Sequence, residues 1–363
     1  MRTALVTGGA GFIGSHLVDG LVEHGLERVV VLDDLWLGRR ENLEQALAAD
    51  GAVSFVEGDC ADLGLLRRLV REDGPFDVCF NLAVIPLPHS LEHPADNVHR
   101  NVAMTTAVCE LGREGGYGRL VQYSSSEIYG TALRAPMDEE HPVKPHTPYA
   151  AAKAATDLVA DSYHLTFGLE TVTVRPFNTY GPRQNDATYA GLLPIVVRRV
   201  QAGEPVVIFG DGEQTRDLTY VSDSVAGTIL AAEAGGVAGQ TFNLGHGREA
   251  SVNEQVALIL DALGVPDHPV EHGPPPRRHA QGARGLRLRA GGAAGGGHPP
   301  DGQLVRRDAT ARLSAVAIVP TSASASRWCS GSASVRSASM CENGRSPGWV
   351  PQRSMNAGSA CMA

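Results

Sequence analysis

Lysine is all but missing from this chain: Lys144 and Lys153 stand alone against 29 arginines in 363 residues. Long apolar runs are missing too. No stretch of 18 consecutive apolar residues occurs, so no membrane-spanning helix is expected. Arg2 leads into a strand pattern and glycines, without the apolar h-region of a signal peptide, so none is expected. Cysteine pairs are lacking as well. Cys60, Cys79, Cys109, Cys329, Cys341 and Cys361 form no CxxC pair and no metal-ligand spacing. Reduced thiols, a cytoplasmic location and no bound metal are the plain expectations.

The formal net charge of −9 conceals two unlike parts. Residues 1–273 carry 37 acidic against 19 basic side chains, a net of −18. Residues 274–363 carry twelve arginines and three acids, a net of +9. An acidic body argues against nucleic acid as a partner.

What is present begins at once. Arg2-Thr3-Ala4-Leu5-Val6-Thr7 is short, apolar and partly β-branched, and reads as a buried strand. Gly8-Gly9-Ala10-Gly11-Phe12-Ile13-Gly14 follows, then an amphipathic stretch to Gly25. Strand, glycine turn and helix are the context of a dinucleotide site. Gly8 permits the turn, Gly11 admits a pyrophosphate close to the backbone, and Gly14 lets helix and strand pack closely. The helix N-terminus offers N–H groups and partial positive charge to the phosphates.

Further apolar runs lie at Arg28–Leu32, Val53–Val56, Asp77–Leu82, Arg119–Tyr123 and Thr171–Val174. Helical patterns span Phe12–His24, Leu63–Glu72, Asn97–Arg113 and Tyr149–Phe167. The alternation predicts an α/β fold, a Rossmann-type doubly wound parallel sheet whose ligand lies beyond the strands' carboxyl ends. Asp33 ends the second strand, 19 residues after Gly14. A carboxylate there accepts both adenosine ribose hydroxyls and repels a 2′-phosphate, which favours NAD over NADP; alternatively Asp33 is a turn residue. Asp59 either meets the adenine edge or caps the helix of Leu63–Glu72.

Tyr149 and Lys153 share one helix face at i, i+4. An ammonium beside a phenol stabilises the phenolate, so the pair can take a proton from a sugar hydroxyl. A chain that writes nearly every cation as arginine keeps lysine here, and Pro148 stands where the helix should start.

Thr7–Gly14, Asp33, Asp59, Asn81-Leu82-Ala83, Asn101, Ser124–Gly130, Tyr149–Lys153 and Arg175-Pro176-Phe177-Asn178 together resemble the extended short-chain dehydrogenase/reductase family. Its nucleotide-sugar epimerases, 4,6-dehydratases and decarboxylases match best, over Met1 to His272. Asn81 departs from the histidine frequent there. The resemblance implies NAD held by Gly8, Gly11, Phe12, Ile13, Gly14, Asp33, Asp59, Ala83, Asn101, Tyr149, Lys153 and Pro176. It implies catalysis by Ser125, Glu127, Tyr149 and Lys153. It places a UDP- or dTDP-hexose on Ser126, Asn178, Arg183, Phe209 and Arg216, although Arg216 could instead pair with Asp217 or Asp223. Ser222 or Asp223 should cap the helix that follows. A homodimer through the helices Asn97–Arg113 and Tyr149–Phe167 is implied too.

The shared first step of such enzymes is oxidation at sugar C4. Glu127 resembles the dehydratase residue that removes the C5 proton, after which water leaves across C5–C6 and the hydride returns to C6. Ser126 stands where many dehydratases have an aspartate. The stretches Ser124–Ala132 and Pro136–Pro148 most resemble bacterial UDP-N-acetylhexosamine 4,6-dehydratases. Dehydratase therefore ranks first, 4-epimerase second and decarboxylase third; Glu127 could also merely hydrogen-bond the sugar. An inactive NAD and nucleotide-sugar binder is the non-enzyme alternative.

Three regions are expected: an NAD-binding domain at 1–175, a smaller substrate domain at 176–272, and a tail at 273–363. Gly291–Gly297 is low in complexity, and Thr321–Ser346 holds nine serines in 26 residues, which cannot bury a core. Read one nucleotide later, codons for Pro274–Gly285 permit Pro-Arg-Pro-Gly-Asp-Thr-Leu-Lys-Val-Arg-Ala-Asp, the kind of segment the family has there. A frameshift near residue 272 would explain both the disordered composition and the charge reversal, and resequencing the locus tests it.

Overall fold

Strands buried on both faces set the central layer. The computed structural model of the chain describes residues 1–49, 51–185 and 191–274; the low-complexity tail and its suggested origin lie outside the described residues. In chain order the first elements are β1 (Thr3–Thr7), α1 (Phe12–Glu23), β2 (Arg28–Asp33), α2 (Glu44–Leu47) and β3 (Val53–Glu57). Next come α3 (Leu63–Asp73), β4 (Phe76–Asn81), α4 (Leu87–Glu92), α5 (Pro94–Arg113), β5 (Tyr117–Tyr123), α6 (Pro148–Phe167) and β6 (Thr171–Pro176). The remainder holds β7 (Asn178–Tyr180), α7 (Leu192–Ala202), β8 (Val206–Phe209), β9 (Thr215–Tyr220) and α8 (Val221–Glu233). It ends with β10 (Gln240–Leu244), β11 (Glu249–Ser251), α9 (Val252–Ala262) and β12 (Val270–Gly273).

Seven strands form one parallel sheet in the order β10-β6-β5-β4-β1-β2-β3. Alternate side chains face opposite layers. Ala4, Val6, Val29 and Val31 pack with Leu17 and Leu21 of α1 and with Val225 and Ile229 of α8. Leu5, Val30 and Leu32 pack with Leu66 and Leu69 of α3, Val108 of α5 and Ala160 of α6. This is the expected doubly wound arrangement, with helices packed on both faces of the sheet. The strand order reverses beside β1, which opens a crevice between the carboxyl ends of β1 and β4.

Residues past 176 build a smaller region. A three-stranded sheet (β11-β9-β7) and a two-stranded one (β12-β8) accompany α7 and α9. Val196, Val206, Ile208, Val256 and Leu260 form its apolar centre. The chain also returns to the large sheet here: β10 adds its edge strand beside β6, and α8 covers the face next to α1. The division expected at 175/176 is thus crossed by both elements. Ser222 and Asp223 do not cap α8. Its N-cap is Tyr220, without a side-chain cap bond, and both residues lie inside the first turn. Among the described residues no helix is long and apolar enough to cross a membrane, and no cluster of three metal-ligating side chains occurs.

Candidate active site

The glycine turn closes tightly at the end of β1. Gly8 has φ +69°, and a Cβ on it would come within 2.6 Å of the Ala83 nitrogen. A Cβ on Gly14 would lie 2.1 Å from the Gly8 carbonyl oxygen. Gly11 is the N-cap of α1 and brings no capping side chain. The helix N-terminus therefore faces a smooth backbone cradle lined by Gly8, Gly11, Phe12, Ile13 and Gly14.

Asp33 forms the next wall of the same cleft. Its Oδ2 accepts the Ala10 N–H at 2.9 Å and its Oδ1 accepts the Leu35 N–H at 2.9 Å. The turn reading is met by these two bonds, and each carboxylate oxygen keeps a second lone pair. Burial pushes this carboxyl above its ordinary value. Asp59 also lines the cleft and accepts the Ala61 N–H at 2.8 Å. The capping role falls instead to Asp62, which accepts the Leu65 N–H at 3.1 Å.

Beyond β4, Ala83 lines the cleft. Asn101, expected at the cofactor, lies behind this loop rather than in the wall. It is buried on α5, where its Oδ1 accepts the Ile85 N–H at 3.0 Å and its Nδ2 donates to the Ile85 carbonyl at 3.1 Å. Asn81 is buried and ties three strands and α5 together. Its Oδ1 accepts from Thr7, and its Nδ2 donates to Gln122 at 2.8 Å and to Thr105. Asparagine thus serves the core at that position.

Ser125, Tyr149 and Lys153 converge across the end of β5. Thr147 caps α6, accepting the Ala150 N–H at 3.1 Å, and Pro148 takes the first helical position as expected. The Tyr149 hydroxyl is hydrogen-bonded to Ser125, and the Lys153 ammonium donates to the Tyr123 carbonyl. The expected lowering of the phenol by Lys153 is not found. Burial dominates and pushes Tyr149 up to about 12, opposed by the Ser125 hydrogen bond and reinforced by the Glu127 charge. Burial also brings Lys153 down to about 8, opposed by Asp157.

The remaining expected residues divide. Pro176 lines the cleft, as does Arg183, which has φ +62° and an Nη1 bond of 2.6 Å to Asp19. Glu127 and Ser126 sit on a single 3₁₀ turn, Ser126–Tyr129, outside the cleft wall; the Glu127 N–H donates to Ser125 Oγ at 3.2 Å. Asn178 on β7 donates to the Asp217 carbonyl at 3.2 Å. Phe209 is 58% exposed at the end of β8, and Arg216 is exposed on β9, bonded to its neighbour's Thr215 carbonyl. Asp217 is committed to the His246 and Gly247 N–H groups. Sequence reasoning missed Trp36, Asn42, Phe177 and Thr179, which also line the cleft. Trp36 is on the loop after β2 and Asn42 on the 3₁₀ turn Arg40–Leu43. Phe177 lies between β6 and β7 and Thr179 on β7, where only the neighbouring Pro176 and Asn178 were singled out.

The geometry has an independent counterpart in the comparisons with known proteins. Residues 4–245 match the model of the NAD dependent epimerase/dehydratase family. The chain belongs to that family. A UDP-glucose 4-epimerase of Mycolicibacterium smegmatis is 42% identical over 280 residues, which is 76% of this chain and 87% of the relative. A dTDP-glucose 4,6-dehydratase of an Actinoplanes species is 37% identical over 270 residues, 72% of this chain and 82% of the relative. The crystal structure of UDP-glucose 4-epimerase from Thermotoga maritima with UDP-glucose superposes with a TM-score of 0.70 at 34% identity, covering 76% of this chain and 86% of that one. NAD is the cofactor of this family of epimerases and dehydratases. The residues present fit it: the glycine cradle leaves backbone space for a diphosphate, and Asp33 offers carboxylate lone pairs at the end of β2.

Proposed function

We propose that this family member is a nucleotide-sugar 4,6-dehydratase acting on a UDP- or dTDP-hexose. Glu127 carries the reading. Its carboxylate acts on the Tyr149 phenol, and its own N–H is bonded to Ser125, so an acid/base group stands beside the C4-oxidising pair. Bound NAD would supply two-electron oxidation at C4 and the matching reduction at C6. The phenolate of Tyr149 accepts the O4 proton while the Ser125 hydroxyl holds the same oxygen. The Lys153 ammonium stands one helical turn from Tyr149 in the same cleft and would hold the nicotinamide ribose. Glu127 removes the C5 proton, which the C4 ketone acidifies, and with serine at 126 it gives that proton to the departing C6 hydroxyl; after the reduction at C6 the enolate regains one proton at C5, equivalent to the one Tyr149 took from O4. The balance is loss of one water and a 4-keto-6-deoxy sugar.

Arg183, Asn178, Phe209 and Arg216 would hold the nucleotide diphosphate, an arginine fork being well matched to phosphate oxygens. A homodimer through α5 and α6 belongs to the same reading; Leu158 and Leu165, seven residues apart on α6, are 68% and 82% exposed. A 4-epimerase is the second reading, favoured by the Mycolicibacterium smegmatis relative. Glu127→Gln separates the two. It should abolish dehydration while C4 oxidation persists, whereas dehydration at an unchanged rate would remove Glu127 from its role.

A further inference from the structure

Behind Lys153 lies a buried ionic cluster to which the reaction above assigns no part. Asp157 follows Lys153 by one turn on α6 and is 3% exposed. Its Oδ2 accepts from Ser124 Oγ at 2.9 Å and from Arg175 Nε at 3.1 Å. Arg175, on β6, donates from Nη1 to the Tyr129 hydroxyl at 2.9 Å, and that hydroxyl donates to Asn243 of β10 at 2.8 Å. The other carboxylate oxygen of Asp157, Oδ1, is buried and has no hydrogen-bond partner. Leaving such an oxygen unpaired is costly. Its charge is shared between two cations, Arg175 and Lys153, both buried.

We propose that Asp157 is a positioning residue, whose buried charge holds Lys153 as an ammonium aimed at the carboxyl end of β5 and whose bond to Ser124 fixes the strand end that presents Ser125. The groups around Lys153 support this. On α6 they are Asp157, with Asp161 one turn further on; on β6, Arg175. One turn earlier on α6 stands Tyr149, with Glu127 on the turn that follows β5, and at the end of β5 itself is the Tyr123 carbonyl. Asp157 is the one anion acting on Lys153, against the desolvation that favours the neutral amine. Without that carboxylate two cations would share a buried site with no counter-charge, and Lys153 is the one able to shed its proton.

The scarcity of lysine makes the test direct. With lysine labelled at Nζ, the full chain shows only two side-chain signals, exposed Lys144 and buried Lys153. Titration followed by NMR should find Lys153 near 8 in the unaltered protein. In Asp157→Asn it should fall by about one pH unit or more, with Lys144 unmoved. Asp157→Glu should restore it. Should Asp157→Asn not fold, Arg175→Met serves instead, because freeing Asp157 from its competing cation should raise Lys153. A Lys153 titration that stays in place in the variants reduces Asp157 to a structural ion partner and overturns the proposal. Only the catalytic use of Lys153 rests on the dehydratase reading; the titration needs no substrate, so the two can fail separately.

Discussion

Lys153 and Tyr149 are held in opposite directions by the same burial. The amine is brought down to about 8 and the phenol is pushed up to about 12, so the neutral form of each is favoured. Proton abstraction from a sugar hydroxyl needs the reverse charges, ammonium beside phenolate. The protonated amine is therefore the component that pH removes first. Between these two values phenolate is gained as fast as ammonium is lost, so turnover should rise with pH up to about 8 and then level off. A pH profile of kcat with saturating substrate checks this, and a fall between pH 8 and 10 would contradict it. The motif of tyrosine and lysine was readable from spacing alone, but its energetics were not, because they depend on how deeply the fold buries the two groups.

The element that sets this pair is α6, whose start places Tyr149 opposite Ser125. Thr147 accepts the Ala150 N–H and Pro148 fixes the first helical φ. Thr147→Ala should cost about 1 kcal/mol in urea unfolding, the usual worth of such a cap. It should also lower kcat more than KM rises, because Tyr149 is in the frayed turn; unchanged stability would show that the cap is dispensable. The glycine turn, β1 to β6 and the helices between them were legible because apolar periodicity and local motifs are short-range signals. β10 was not: Gln240–Leu244 is short and half polar, and it pairs with a strand that ends 64 residues earlier. The place of Asn101 was not legible for a similar reason, since its bonds behind the Ile85 loop exist only once α5 packs there. Asp157 looks like an ordinary helix residue until β6 brings Arg175 against it.

For the whole molecule, buried acids decide the alkaline limit. Tyr123 and Tyr149 are pushed from 10.0 to about 12, and Cys109 from 9.0 to about 12, each chiefly by burial. A folded value above the unfolded one means stability that is full below the unfolded value and is lost as pH rises past it. Lys153 acts in the opposite sense between about 8 and 10.5, but Cys60 and Cys79, also raised by burial, join Cys109 from pH 9, and the tyrosines add to them from pH 10. Melting temperature should therefore fall steadily from pH 9 upward, as scanning calorimetry would show; a flat profile to pH 11 would contradict the burial of these groups. The central claim concerns what the two halves of the molecule do together. Its direct measurement is incubation of the purified chain with UDP- and dTDP-hexoses, with the product read by mass spectrometry and NMR. The account predicts a product lighter by one water, a 4-keto sugar with a methyl group at C6. An isomeric hexose of unchanged mass, inverted at C4, would contradict it.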